Sequence, residues 1–200
     1  MAGLTDVQSS DFVRAERPVF EDDFHGAGAG KFPARWKLVA GHASIDTLNG
    51  ETVFALTEGH YVRVAPLVKA GTGDSYLTDS FTVELDSYPK QGSFGGVIIF
   101  LSAGDDERQI AFGSIVTTNG FEHDRSGTNP NTAGGYLDQW HHVALLFKNG
   151  QLKCYTDNLL MLAVPDVAGF QTRTVSFGSI GRPESPIILK NVRIAVDVGR

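Results

Sequence analysis

The feature that most limits what this chain can fold into is the spacing of its helix breakers. It carries 23 Gly and 8 Pro in 200 residues, and its longest stretch free of both, Asp74 to Tyr88, is 15 residues. Gly costs backbone entropy and Pro removes a backbone donor, which argues against long helices, coiled coils and helical bundles. What remains between the breakers is short and apolar. Candidate strands are Val19–Phe24, Trp36–Ala40, Ala43–Thr47, Thr52–Leu56, His60–Val64, Ser80–Tyr88, Gly96–Ser102, Gln109–Thr117, Gln139–Lys148, Gln151–Thr156, Leu159–Ala163, Thr174–Gly178 and Ile187–Val196. Asn49-Gly50, Glu58-Gly59, Asn119-Gly120, Asn149-Gly150 and Asp157-Asn158 stand between them as turns. Asn-Gly between two apolar runs is the strongest short-range hairpin signal, because a type I′ turn needs positive φ at both central residues. Gln139–Lys148 and Gln151–Thr156 are therefore expected to pair.

Trp140, Val143, Ala144 and Phe147 also fit a helical stripe. The adjacent Asn149-Gly150 turn and the lack of an N-cap box favour a strand buried on much of both faces. Many closely spaced strands with no helix between them predict an all-β, two-sheet antiparallel β-sandwich of jelly-roll type. The polar run Ser126–Gly135 reads as a loop, where binding groups concentrate on β scaffolds.

Composition narrows the function. A hydrophobic content of 42% fills a core, and 20% charged residues is too few for a disordered chain. Net charge is −6 from 17 basic and 23 acidic residues, which argues against a general nucleic-acid partner. The single Cys154 rules out an internal disulfide framework and a multi-Cys zinc site, and within a strand it reads as a small buried apolar residue. No apolar run is long enough for a transmembrane helix. Met1–Ser10 is polar and shows no signal-peptide core, which leaves an intracellular protein or a chain whose leader has been removed. Gly26–Gly30 lacks the Gly-Lys-Ser/Thr ending of a phosphate loop. None of the six His stands at a metal-binding spacing, and His141 and His142 point to opposite faces of their strand.

One segment carries a signature: Gln139-Trp140-His141-His142-Val143-Ala144, then Lys148-Asn149-Gly150-Gln151-Leu152, then Tyr155-Thr156-Asp157-Asn158. It resembles the W-H-H-V-A, G-x-L and Y-x-D-G run of laminin G-like and concanavalin A-like lectin/glucanase domains. Asn158 replaces the usual Gly, a change that αL-tolerant Asn allows. Ser179-Ile180-Gly181 with Leu189–Ile194 resembles the closing strands of that family. Phe20-Glu21-Asp22-Asp23-Phe24 with Phe32–Trp36 is similar to its opening strand. The resemblance spans residues 18–196, leaving 1–17 as a polar lead-in and 197–200 as a stub. A narrower resemblance, over Val19–Val196, is to the N-terminal module of bacterial outer-membrane-protein-A-family envelope proteins. It implies a bacterial cell-envelope setting, in the periplasm or at the outer membrane, with a glycan or an envelope protein as partner.

The resemblance also implies where to look for a site. Glucanases of this fold carry E-x-D-x-x-E or E-x-D-x-E on one strand. Here Phe81–Tyr88 reads F-T-V-E-L-D-S-Y. Alternation sends Phe81, Val83 and Leu85 to the core and Thr82, Glu84, Asp86 and Tyr88 to the other face. Glu84 and Asp86 match the first two acids; Tyr88 and Pro89 stand where the third would be. A retaining glycosidase needs both a nucleophile and an acid/base, so the expectation is a non-catalytic binding module, with Glu84 and Asp86 as solvated acids on the polar face. A glucanase-type hydrolase and a purely structural domain are the alternatives. Sugar recognition needs aromatic faces and planar polar groups. Glu84, Asp86, Tyr88, Phe94, Arg108, His123, Asn129 and Tyr136 are the principal candidates, with Tyr76, Asn119, Asp124 and Asn131 beside them. Trp36 and Trp140 are assigned to the core. No cofactor is expected beyond a structural calcium, which folds of this family often bind where first and last strands meet; Glu21, Asp22, Asp23 and Asp197 would supply its oxygens.

Overall fold

The computed structural model describes residues 11–68, 76–90, 97–102, 110–117, 120–123, 138–164, 174–179 and 186–197. Within them every regular element is a strand: β1 Arg17–Asp22, β2 Trp36–Leu48, β3 Glu51–Pro66, β4 Ser80–Pro89, β5 Ile98–Ser102, β6 Ile110–Thr117, β7 Gly120–His123, β8 His141–Lys148, β9 Gln151–Thr156, β10 Leu159–Val164, β11 Thr174–Ser179 and β12 Ile187–Val196. All pairings are antiparallel. They run β10-β9-β8-β4-β12-β3-β11-β5-β6-β7, with β1 added to β12 and β2 to β3. The sheet curls over a single core, so that Phe81, Val83, Leu85, Val143 and Leu145 share it with Leu56, Val62, Val64, Ile99 and Phe177. The segment expected to choose between helix and strand is the strand β8. Its hairpin with β9 turns at Asn149 (φ 53°) and Gly150 (φ 71°), the type I′ signature. Asn49-Gly50 and Asp157-Asn158 turn the same way.

Two expected pairs of short strands are each one long strand. Trp36–Ala40 and Ala43–Thr47 merge into β2, whose register slips around Gly41 (φ 74°). Glu58-Gly59 is not a turn: β3 runs through it. Bulges supply the kinks that the sequence suggested as breaks. β7 was not foreseen. Trp36 is buried, as expected, and packs with Phe20, Phe24, Phe54 and Phe177 at ring-centroid distances of 5.2–5.7 Å. Trp140 is not in the core. It is half-buried at the edge of the outer face, with Tyr88 edge-on at 5.3 Å and the Lys190 ammonium 4.1 Å from its ring centre. Cys154 is buried with the core, as its sequence context suggested.

Candidate functional site

The outer face of β12-β4-β8-β9 collects the charge. Register sets Glu84 opposite Arg193 on β12 and Ala144 on β8; it sets Asp86 opposite Lys190 and His142. Strict alternation along β12 would send Arg193 into the core beside Ile187 and Leu189. A bulge between Lys190 and Arg193, with Asn191 in the left-handed region (φ 53°), changes the parity. Val192, Ile194 and Val196 therefore face the core, and Lys190 and Arg193 both face outward.

Alternation along β4 is as expected, but the solvated acids are not. Glu84 is 2% exposed. Arg14 donates to its Oε2 from Nε (2.9 Å) and Nη2 (2.5 Å), Arg193 Nη1 donates to Oε1 (3.1 Å), and His142 Nε2 lies 3.6 Å away. The cover is residues 11–16 of the lead-in, which pack on the sheet. Ala15 is buried, its N–H donating to Thr82 Oγ1 (3.3 Å) and its carbonyl accepting from Arg193 Nη2 (3.1 Å). Phe12 meets Tyr155 edge-on at 5.4 Å, and Asp11 accepts from Tyr155 Oη (2.6 Å) and from Lys153 Nζ.

Asp86 is partly open, its side chain 22% exposed beside a 38% exposed His142. His142 Nδ1 lies 3.0 Å from Asp86 Oδ1, and Asn191 Nδ2 donates to Oδ2 at 2.6 Å. Glu84, Asp86, His142, Arg14, Arg193 and Asn191 line a cleft of about 350 Å³, with Glu21 and Val192 at its side. Hydrogen bonds that the imidazole of His142 donates to Asp86 and Glu84 outweigh its burial and raise it to about 9, so it is a cation at neutral pH. Burial alone would raise both carboxyls, but His142 and Arg14 hold Glu84 below the usual carboxylate range, and His142 and Asn191 do the same for Asp86. A glycosidase acid must keep its proton near neutral pH. Both carboxyls are tuned the other way, so the arrangement suits fixed ionic and hydrogen-bonding contacts better than proton donation.

The other candidates scatter. Tyr88 is half-buried against Trp140, next to the cleft residues. Tyr76 is tied to β11, exchanging hydrogen bonds with the Val175 backbone at 2.7 and 3.2 Å. His123 ends β7, and its side chain lies outside what is described. Phe94, Arg108, Asn119, Asp124, Asn129, Asn131 and Tyr136, together with the Ser126–Gly135 run, lie outside the described residues.

Glu21, Asp22 and Asp197 are not brought together. β1 sets Asp22 opposite Val192 and Arg17 opposite Val196, so Asp197 sits at the far end of that pairing. Asp22 accepts from the Phe24 N–H (2.9 Å) and the Trp36 indole N–H (2.9 Å), fixing Phe24 at its positive φ of 62°. Glu21 accepts from Arg193 Nε (3.0 Å), Asp197 from Ser80 Oγ (2.7 Å), and Asp23 pairs with His25. Among the described residues no three His, Cys, Asp or Glu side chains group as a metal site.

Sequence reasoning missed Arg14, His142, Arg193, Asn191 and Lys190. The signal for the last three was the run Lys190-Asn191-Val192-Arg193, where apolar alternation breaks at an αL-tolerant Asn. The signal for His142 was its place on β8 opposite the acid strand. Both of the paired histidines are held: His141 Nδ1 lies 2.6 Å from Asp157 Oδ2 on the inner side of the hairpin.

No protein-family model and no curated protein matches the chain. Solved structures do. A carbohydrate-binding module from Bacillus subtilis superposes with a TM-score of 0.55 at 16% identity, over 80% of this chain and 95% of that one. The carbohydrate recognition domain of Emp47p gives 0.59 at 16% identity, over 94% and 100%. Arcelin-5, a lectin-like defense protein from Phaseolus vulgaris, gives 0.62 at 10% identity, over 88% and 96%. The fold is that of a lectin-like, concanavalin A-like β-sandwich.

Proposed function

We propose that this chain is a non-catalytic carbohydrate-binding module whose ligand lies on the outer face of β12-β4-β8. The observation that carries the reading is the meeting of partly exposed Asp86 and His142 and exposed Asn191 with the Tyr88–Trp140 ring pair on one stretch of sheet. Sugar hydroxyls are bound by planar acceptors and donors held in fixed directions, and apolar sugar faces by aromatic rings. Asp86, fixed by His142 and Asn191, offers the first, and Trp140, held by Tyr88 and Lys190, offers the second. Three structural neighbours bear carbohydrate-binding or lectin-like names, which supports the same class. A bacterial envelope setting, with an envelope glycan or protein as partner, follows from the sequence resemblance of residues 19–196; none of the three structures named above carries that link.

A glycan array followed by titration calorimetry tests the reading. Binding should appear for at least one glycan class and fall at least about tenfold in both Trp140→Ala and Asp86→Asn, the loss of one good stacking or charge-assisted contact. An array without hits from a folded protein overturns it and leaves a structural or assembly role.

A further inference from the structure

The cations of the outer face differ in where their partners come from. Arg193 has Glu84 and Glu21, His142 has Asp86, and Lys190 has Glu51 at 2.6 Å; all of these carboxylates belong to strands of the sheet. Lys153 is paired with Asp11, which belongs to the segment 11–16 that lies across the sheet. Tyr155, on the same side of β9 two residues on, donates its phenol to the other Asp11 oxygen at 2.6 Å. Burial and the Asp11 charge raise the Tyr155 phenol, which keeps it a donor, and Lys153 and Tyr155 hold Asp11 below the usual carboxylate range. An ammonium and a phenol placed one on each oxygen of a single carboxylate make a receptor for that group.

The segment that fills this receptor is held largely by side chains. Its Arg14 is 58% exposed and is the third cation around Glu84, which keeps Arg193 and His142 when Arg14 leaves. Departure of residues 11–16 therefore strands no charge at Glu84 and frees the pair on β9. From the Lys153–Tyr155 pair, the β9-β8-β4 ladders lead directly to Glu84, through Tyr155 opposite Ala144 and Ala144 opposite Glu84.

We propose that Lys153 and Tyr155 form a carboxylate-binding subsite, occupied here by Asp11, and that the glycan taken by this face is acidic, bearing a uronate-type carboxylate. Segment 11–16 then competes with the ligand. The assignment rests on the carbohydrate-binding reading above and adds the ligand class and an internal competitor to it.

The test uses the full chain and matched glycans, an oligouronide and its carboxyl-reduced neutral counterpart, titrated against the parent protein, Asp11→Ala, Lys153→Met and Lys153→Gln. The parent should prefer the acidic member. Asp11→Ala should bind it several-fold tighter and leave the neutral member unchanged. Both Lys153 variants should lose about tenfold for the acidic member alone, the value of one charge-assisted hydrogen bond; two substitutions guard against one that misfolds, and thermal melts report folding. Equal affinity for the two members in all four proteins overturns the subsite while the glycan-binding reading stands. No binding of either member, with other glycans bound on the array, also overturns it. An array empty for parent and Asp11→Ala alike overturns the reading and the subsite together.

Discussion

Arg193 donates to Glu84 across the β12–β4 ladder at 3.1 Å, and it reaches that carboxylate because one residue of β12, Asn191, stands out of step. The left-handed Asn191 changes the face on which the following residues fall, and its own amide binds Asp86 at 2.6 Å. One residue thus places a guanidinium on one acid of β4 and an amide on the other.

Asn191→Gly keeps the backbone and loses the amide contact, so it should cost about 1 kcal/mol. Asn191→Val adds the left-handed penalty of a β-branched residue and should cost roughly 2–3 kcal/mol in all. Urea unfolding of the two variants checks the order. Equal stabilities would mean that the bulge does not depend on the αL position.

The ion cluster gives stability a defined pH window. His142 is raised from 6.5 to about 9, so its contribution is whole below pH 6.5 and fades as pH rises toward 9. Glu84 and Asp86 are depressed, so theirs is whole above their unfolded values near 4 and fades as pH falls below. Stability should therefore peak between about pH 4.5 and 6.5 as far as this cluster is concerned. His142→Gln should remove the decline on the alkaline side, an effect of order 1 kcal/mol because the ring is partly screened by solvent. Melting temperatures of the parent and the variant from pH 4 to 9 test it; parallel profiles would refute the coupling.

Much of the scaffold could be read in the sequence, because its rules are local. Period-2 patterning gave β4 and β8 their faces, and Asn149-Gly150 gave the hairpin its turn. Less of the site was legible, because its determinants are not local. Glu84 looks solvated when β4 is read alone; a segment 70 residues away in the chain covers it with Arg14. Trp140 reads as core by family position, yet the edge of the outer face holds it between Tyr88 and Lys190. Glu21, Asp22 and Asp197 look adjacent if first and last strands simply meet, but the β1–β12 register runs the pairing past them.

Cys154 reports on the core from within β9. It is 1% exposed and packs with the buried cluster on the face opposite Lys153 and Tyr155. A thiol so placed reacts only when the structure opens. Its labelling by an aromatic disulfide reagent should be slowed by orders of magnitude relative to the urea-unfolded chain and should follow global unfolding across the urea transition. Rapid labelling in native buffer would show that the β8–β9 hairpin opens independently of the rest.

Gly178 on β11 and Gly26 separate two reasons for a glycine at a backbone site: room and dihedral angle. A Cβ there would lie 2.5 Å from the Val62 carbonyl oxygen and 2.8 Å from Phe100 Cε2. The first contact is with the backbone of the neighbouring strand, so relief means moving β3 or β11 itself. Gly26 poses the opposite case, with a φ of 82° and open space around its missing side chain. Gly26→Ala should cost about 1 kcal/mol from conformation alone. Gly178→Ala should cost roughly 3 kcal/mol, at the upper end of overpacking penalties, and should loosen Phe100 from the Arg63 guanidinium that lies 4.6 Å from its ring. Chemical denaturation of both variants gives the ranking. If Gly178→Ala is the milder change, β3 and β11 are not packed as closely as their 62–179 and 64–177 pairings place them.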